Sequence, residues 1–185
     1  MLTWLIFRAS ILTPWLGYLC YSDAKTRRLP NLLTWGGLLA GLCAQAGFFG
    51  WGAVGGGGVV DALAAEGVLF LVLLLPRLMG AVGGGDFKMY IGCTAFLGVR
   101  TLPVMLMASA VAGVVLMIVL LATGHCSGAR LVHWFRFCFD WRYDRKAGAA
   151  AMPPKDDRRV NVPYGIAIAA GMWVTLGFEG WLLCR

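Results

Sequence analysis

Apolar residues fall in long blocks along the chain, with polar residues gathered between the blocks. The blocks cover about 2–20, 32–49, 59–75, 102–122 and 162–183, with a shorter one at 89–99 that reaches back toward Asp86. A helix needs about 20 apolar residues to cross the hydrocarbon core of a bilayer, so the pattern predicts six transmembrane helices in an all-α, polytopic membrane protein. Arg8 interrupts the first block, and Asp61 and Glu66 lie in the third. The first block lacks a basic stretch before its apolar core and is broken by Arg8, so it is read as a retained span rather than a secretory signal. Between the fifth and sixth blocks the period changes. Arg130, His133, Arg136, Asp140 and Asp144 recur at intervals of three and four, with Leu131, Trp134, Phe135, Cys138 and Trp141 opposite. That periodicity predicts an amphipathic helix lying in the membrane interface, either a surface anchor or a substrate-docking face. Residues 147–159, with Pro153-Pro154 and mixed charges, read as a linker.

Composition agrees with the pattern. Of 185 residues, 59% are hydrophobic and 14% charged, and the mean hydropathy is +0.75. Soluble domains carry about 25% charged residues. The 26 glycines suit helices that pack closely in lipid. Six cysteines are scattered without a CxxC pair, which argues against a zinc site or a disulfide framework and for small apolar packing residues. His125 and His133 have no partners at metal-ligand spacing, so neither metal nor cofactor is expected.

The net charge of +7 is unevenly placed. Thirteen of the 16 Lys and Arg fall in the connections at about 21–31, 76–88 and 124–161. The other side keeps Arg8, Arg100 and Arg185 beside a neutral glycine tract from Gly55 to Gly58. The positive-inside rule places the first set in the cytoplasm and both termini on the far side. The charge therefore orients the protein and faces anionic lipid; no nucleic-acid motif accompanies it.

Two acids then stand out. The first inner connection contains Asp23-Ala24-Lys25-Thr26-Arg27-Arg28-Leu29-Pro30-Asn31, and the second Gly83-Gly84-Gly85-Asp86-Phe87-Lys88. An acid beside a span is costly and is by default a functional candidate. The topology puts Asp23 and Asp86 at the same depth on the same side. Two close carboxylates in a poorly solvated site hold one proton between them. The charged member can take a proton from water while the neutral one donates to a peptide carbonyl. Glycines before Asp86 let another backbone approach the carboxylate.

Together these segments resemble the type IV prepilin peptidase family, whose members carry an Asp followed by a basic-aliphatic-Pro-Asn run and a Gly-x-Gly-Asp-x-Lys loop. Val162-Pro163-Tyr164-Gly165-Ile166-Ala167 resembles a third recurring feature of that family. The resemblance implies a single membrane-embedded peptidase domain over 1–185 in the bacterial inner membrane. It implies an aspartyl endopeptidase with Asp23 and Asp86 as the catalytic pair, which cuts prepilin or pseudopilin leaders at the cytoplasmic membrane boundary. Larger members add paired CxxC motifs and methylate the new amino terminus. Only one span precedes Asp23 here and no CxxC exists, so N-methyltransferase activity is not expected.

Around the pair, Gly83, Gly85, Lys88, Lys25, Pro30, Asn31, Pro163 and Gly165 are candidates for binding substrate or shaping the site. Lys25 and Lys88 either orient the chain by charge or favour an ionised Asp. Pro30 and Asn31 suit a helix start and its cap. Pro163 and Gly165 either open a helix or leave backbone groups free for substrate. Asp61 and Glu66 are a packed polar pair or part of a wet pocket. Two other classes compete. One is a small channel or transporter with Asp23, Glu66 and Asp86 along an ion path, which the lack of an inverted repeat disfavours. The other is a non-catalytic pilus-assembly protein, against which both aspartates speak.

Overall fold

The computed structural model describes residues 1–26, 30–78, 82–124 and 163–184. Among them run six α-helices: α1 (Leu2–Thr26), α2 (Asn31–Phe49), α3 (Val59–Leu78), α4 (Gly84–Thr94), α5 (Leu102–Ala122) and α6 (Gly165–Leu183). The all-α class expected from the apolar blocks is what forms. α2, α3, α5 and α6 are each long and apolar enough to cross a membrane. The amphipathic helix expected over 130–144, the linker at 147–159 and both histidines lie outside the described residues. The chain divides into two compact units, residues 1–113 with 163–185, and residues 114–162. The core lies in the first.

Each helix buries a stripe set by its own spacing. On α1 the stripe is Trp4, Arg8, Leu12, Leu16, Leu19 and Asp23, steps of three and four that keep one face inward. On α2 it is Thr34, Gly37, Gly41 and Gln45. Trp15 of α1 sits in the space a β-carbon on Gly37 would occupy, and one on Gly41 would lie 2.6 Å from Cβ of Ala95. Missing side chains thus let the helices approach closely, the usual way to gain packing energy in lipid.

α4 is the centre of the unit and packs against α2, α3 and α6. It differs from the span expected at 89–99. The helix has 11 residues and stops at Thr94, so at 1.5 Å per residue it covers about half the hydrocarbon thickness. The chain then turns through Ala95, Phe96 and Leu97, all buried. Irregular backbone is tolerated at membrane depth only where protein satisfies its polar groups. Three helices supply that here. Arg8 donates to the Phe96 carbonyl at 3.2 Å, Gln45 donates to the Leu97 carbonyl at 3.0 Å, and Asp61 accepts the Val99 N–H at 3.3 Å.

This accounts for the polar residues that interrupt the apolar blocks. Asp61 also accepts N–H groups from Gly55 at 2.6 Å and Gly57 at 3.2 Å, while Gly58 donates to Gln45 at 3.1 Å. The tract turns through φ of 78, 86 and 101° at Gly55, Gly57 and Gly58, where a β-carbon would be strained. Asp61 therefore organises this turn and is not paired with Glu66, whose Oε1 is buried without a hydrogen-bond partner. Arg8 is neutralised by both carboxylate oxygens of Glu179 and lies over the Trp4 ring, 5.0 Å from its centroid.

Candidate active site

Asp23 was expected in a loop over 21–31, and it lies in the last turn of α1, which continues to Thr26. It is four residues past Leu19 and so extends the buried stripe, with 5% of its surface exposed. Its Oδ2 accepts the backbone N–H of Gly165 at 2.9 Å. Gly165 is the first residue of α6, so this N–H is one of the donors a helix leaves unpaired at its start, where the dipole favours negative charge. A β-carbon on Gly165 would lie 2.8 Å from Asp23 Oδ2. The residue is glycine because the carboxylate occupies that space. One turn earlier on α1, Cys20 gives its S–H to the Gly165 carbonyl at 3.7 Å. Pro163 is buried just ahead, and its carbonyl accepts the Ile166 N–H at 3.3 Å.

For Asp86 the sequence offers either the connection over 76–88 or the start of a span reaching back from 89; it stands in the first turn of α4, as the second has it. Gly83 is the N-cap, Gly84 and Gly85 are the first two helical residues, and Asp86 is the third. Its carboxylate reaches back to the Gly83 N–H, the reciprocal half of a capping box. A β-carbon on Gly83 would lie 2.6 Å from Asp86 Oδ2, so here too glycine makes room for an acid. Arg77, at the end of α3, donates to the Val82 carbonyl at 3.3 Å and lies beside Gly84.

The two acids act on each other. Burial, and then the charge of Asp23, push the Asp86 carboxyl up to about 6 against the opposing Gly83 N–H. A carboxylate that is mostly out of water and faces a second acid resists losing its proton. The pair is thus brought to one end of the bundle from α1 and α4.

The neighbours are arranged otherwise than their charges suggest. Lys88 donates to Asn31 Oδ1 at 2.8 Å, tying the start of α4 to the start of α2. Pro30, in extended conformation, is the N-cap of α2 and provides no side-chain cap. Asn31, expected as a cap, is instead the first helical residue and receives Lys88. The Thr34 hydroxyl donates to the Asn31 carbonyl at 3.0 Å. Lys25 donates to the Tyr21 hydroxyl at 3.3 Å and lies 5.6 Å from that ring's centroid.

Tyr90 and Ser109 stand out only in the structure, and Tyr164 in the sequence only as part of the 162–167 segment. The Tyr90 hydroxyl is 2.7 Å from Ser109 Oγ, and the Tyr164 hydroxyl donates to the Ser109 carbonyl at 3.4 Å. Burial, and to a lesser degree the charge of Asp86, push the Tyr164 phenol up. A signal existed: Tyr90 falls four residues after Asp86, and Ser109 is a hydroxyl in the middle of an apolar block.

The sequence profile of the type IV leader peptidase family matches residues 10–118, a span that contains Asp23 and Asp86. A prepilin leader peptidase/N-methyltransferase of Neisseria gonorrhoeae is 32% identical over 125 residues, 64% of this chain and 42% of the relative. The chain thus aligns with less than half of that protein's length. No solved structure matches. With this relative and its four long apolar helices, the chain is an integral membrane protein.

Proposed function

We infer the function from the premise that this chain belongs to the type IV leader peptidase family: it is an aspartyl endopeptidase that removes leaders from prepilins or pseudopilins. The observation that carries the reading is the asymmetric environment of the two acids. Asp23 receives an N–H at the positive end of α6, which favours its charge. Asp86 is pushed up to about 6 by burial and by Asp23. One proton on the pair therefore resides on Asp86.

The chemistry follows from that division. Asp23 takes a proton from water as the water oxygen adds to the scissile carbonyl carbon, and Asp86 gives its proton to the carbonyl oxygen. The resulting diol collapses, the C–N bond breaks, Asp23 passes its proton to the leaving nitrogen, and a diol hydrogen returns to Asp86. One water is consumed and both acids regain their starting states. No covalent acyl-enzyme, metal or cofactor enters this scheme.

The positive-inside rule puts this end of the bundle at the cytoplasmic face of the inner membrane, with both termini opposite. There it meets the bond between a basic cytoplasmic leader and a hydrophobic helix in the bilayer. Gly83, Gly85, Pro30, Asn31 and Pro163 shape the approach, and Lys88 fixes it through Asn31. We assign peptidase activity to this membrane-embedded unit because hydrolysis is the chemistry these two carboxylates support.

The test is cleavage of a prepilin by purified protein in detergent, read by product mass. Asp23→Asn and Asp86→Asn are each expected to abolish cleavage while the protein inserts and folds. Processing by Asp86→Asn overturns the assignment.

A further inference from the structure

We propose that Tyr90, Ser109 and Tyr164 form a strut that fixes the distance between Asp23 and Asp86, making them positioning residues for the carboxylate pair. The inference rests on the peptidase reading above and adds the part that holds its two halves together. Tyr90 is four residues after Asp86 on α4, so the two share a face one turn apart. Tyr164 immediately precedes Gly165, whose N–H holds Asp23. The strut therefore begins one turn from one acid and ends one residue from the other's partner.

Its connections are continuous. Ser109 donates its hydroxyl to the Leu106 carbonyl at 3.0 Å, which leaves Tyr90 to donate to Ser109 Oγ at 2.7 Å in a buried contact. Tyr164 donates to the Ser109 carbonyl at 3.4 Å, so both phenols meet on Ser109. Packing locks the arrangement. The Tyr164 ring fills the space a β-carbon on Gly113 would take, and a β-carbon on Gly171 would lie 2.6 Å from Cβ of Ser109. Ser109 and Gly113, four apart on α5, thus form a small-residue seam against which the α6 start and Tyr164 are pressed.

A strut is needed because the two acids repel each other whenever both are charged. If the helices spread, Asp86 feels Asp23 less and gives up its proton more easily. The groups around Asp86 are Asp23 from α1, the Tyr164 phenol from the turn before α6, the Gly83 N–H from its own cap, and Arg77 from the end of α3 beside Gly84. Of these, the strut sets the position of the first two.

The test uses the full-length protein in detergent and a synthetic peptide with a basic leader, a glycine and a hydrophobic helix. Tyr90→Phe and Tyr164→Phe are each expected to lower kcat about tenfold with KM little changed. The alkaline limb of kcat/KM should move to lower pH by about half a unit, as Asp86 loses the influence of Asp23. Gly113→Ala displaces the Tyr164 ring while keeping every hydroxyl and should move the limb the same way, so the test survives if a Phe variant fails to fold. Wild-type kcat with an unmoved limb overturns the strut, and so does a loss of rate with the limb unmoved, which is the mark of plain packing. Asp86→Asn separates the two levels. Cleavage by that variant sinks the peptidase reading itself, whereas an inactive Asp86→Asn beside unaffected tyrosine variants sinks the strut alone.

Discussion

Gly165 donates its backbone N–H to Asp23 Oδ2 at 2.9 Å, and a β-carbon on it would stand 2.8 Å from the same oxygen. The first residue of α6 is thus held against the last turn of α1 by a bond that only a residue without a side chain can make. Gly165→Ala must displace either the carboxylate or the helix start. Misplacing a catalytic group by about 1 Å can cost about 10²-fold in rate. A loss of about that size is expected in kcat, with KM little changed, in steady-state cleavage of a prepilin peptide. An unaltered kcat would show that Asp23 does not act through this geometry.

The proposed mechanism makes the pH dependence of activity follow Asp86. In that mechanism its carboxyl, pushed up to about 6, carries the proton that the scissile carbonyl oxygen needs. Below that value the free enzyme is in the one-proton state; above it the proton is lost. kcat/KM should therefore fall on the alkaline side of about 6, approaching tenfold per pH unit. A profile from pH 4 to 9 checks this. A kcat/KM that still climbs through pH 7 would mean that the proton sits elsewhere.

The same shift predicts how stability depends on pH. Asp86 rises from an ordinary 3.8 to about 6 on folding, so between those values the folded state binds more protons than the unfolded state. Stability from this group is full below about 3.8 and is lost as pH rises through about 6, by roughly 3 kcal/mol at most. Asp86→Asn keeps an oxygen for the Gly83 N–H and removes the charge. It should melt higher than wild type at pH 7 and equal to it near pH 4, in detergent thermal unfolding. Equal melting at both pH values would show that Asp86 is not held in its acid form by the fold.

Much of this was legible before the structure. The apolar blocks led to α2, α3, α5 and α6 because a bilayer demands length and composition more than any specific packing. Asp23 and Asp86 were legible because acids beside spans are costly. A loop around Asp23 is expected for a local reason: charged residues cluster there and read as a connection, as do the three glycines before Asp86. The phase of Asp23, four residues after Leu19, was the better guide. The end of α4 at Thr94 could not be read locally, because Arg8, Gln45 and Asp61 from three other helices stabilise the turn that follows it. The Tyr90–Ser109–Tyr164 contacts join segments remote in sequence, so the spacing of Tyr90 from Asp86 and the hydroxyl of Ser109 mark the residues but not their contact.

The opposite end of the bundle tests that account of α4. Arg8 is 5% exposed and holds three partners at once: the Glu179 carboxylate, the Phe96 carbonyl at 3.2 Å and the Trp4 ring. Removing one member of a buried pair leaves a charge without compensation, at a cost of about 3–5 kcal/mol. Glu179→Gln should therefore melt far below wild type. Arg8→Met should do the same, since it orphans both the Glu179 charge and the Phe96 carbonyl. In the double variant no charge remains, and only the carbonyl is left unpaired, at about 1–3 kcal/mol. The double variant should accordingly melt above Arg8→Met, a coupling that a thermal double-mutant cycle in detergent measures directly. Folded molecules of each variant should cleave at near wild-type rate, because the carboxylate pair lies at the other end of α1. Additive losses with no recovery would mean that Arg8 and Glu179 serve the turn after α4 independently.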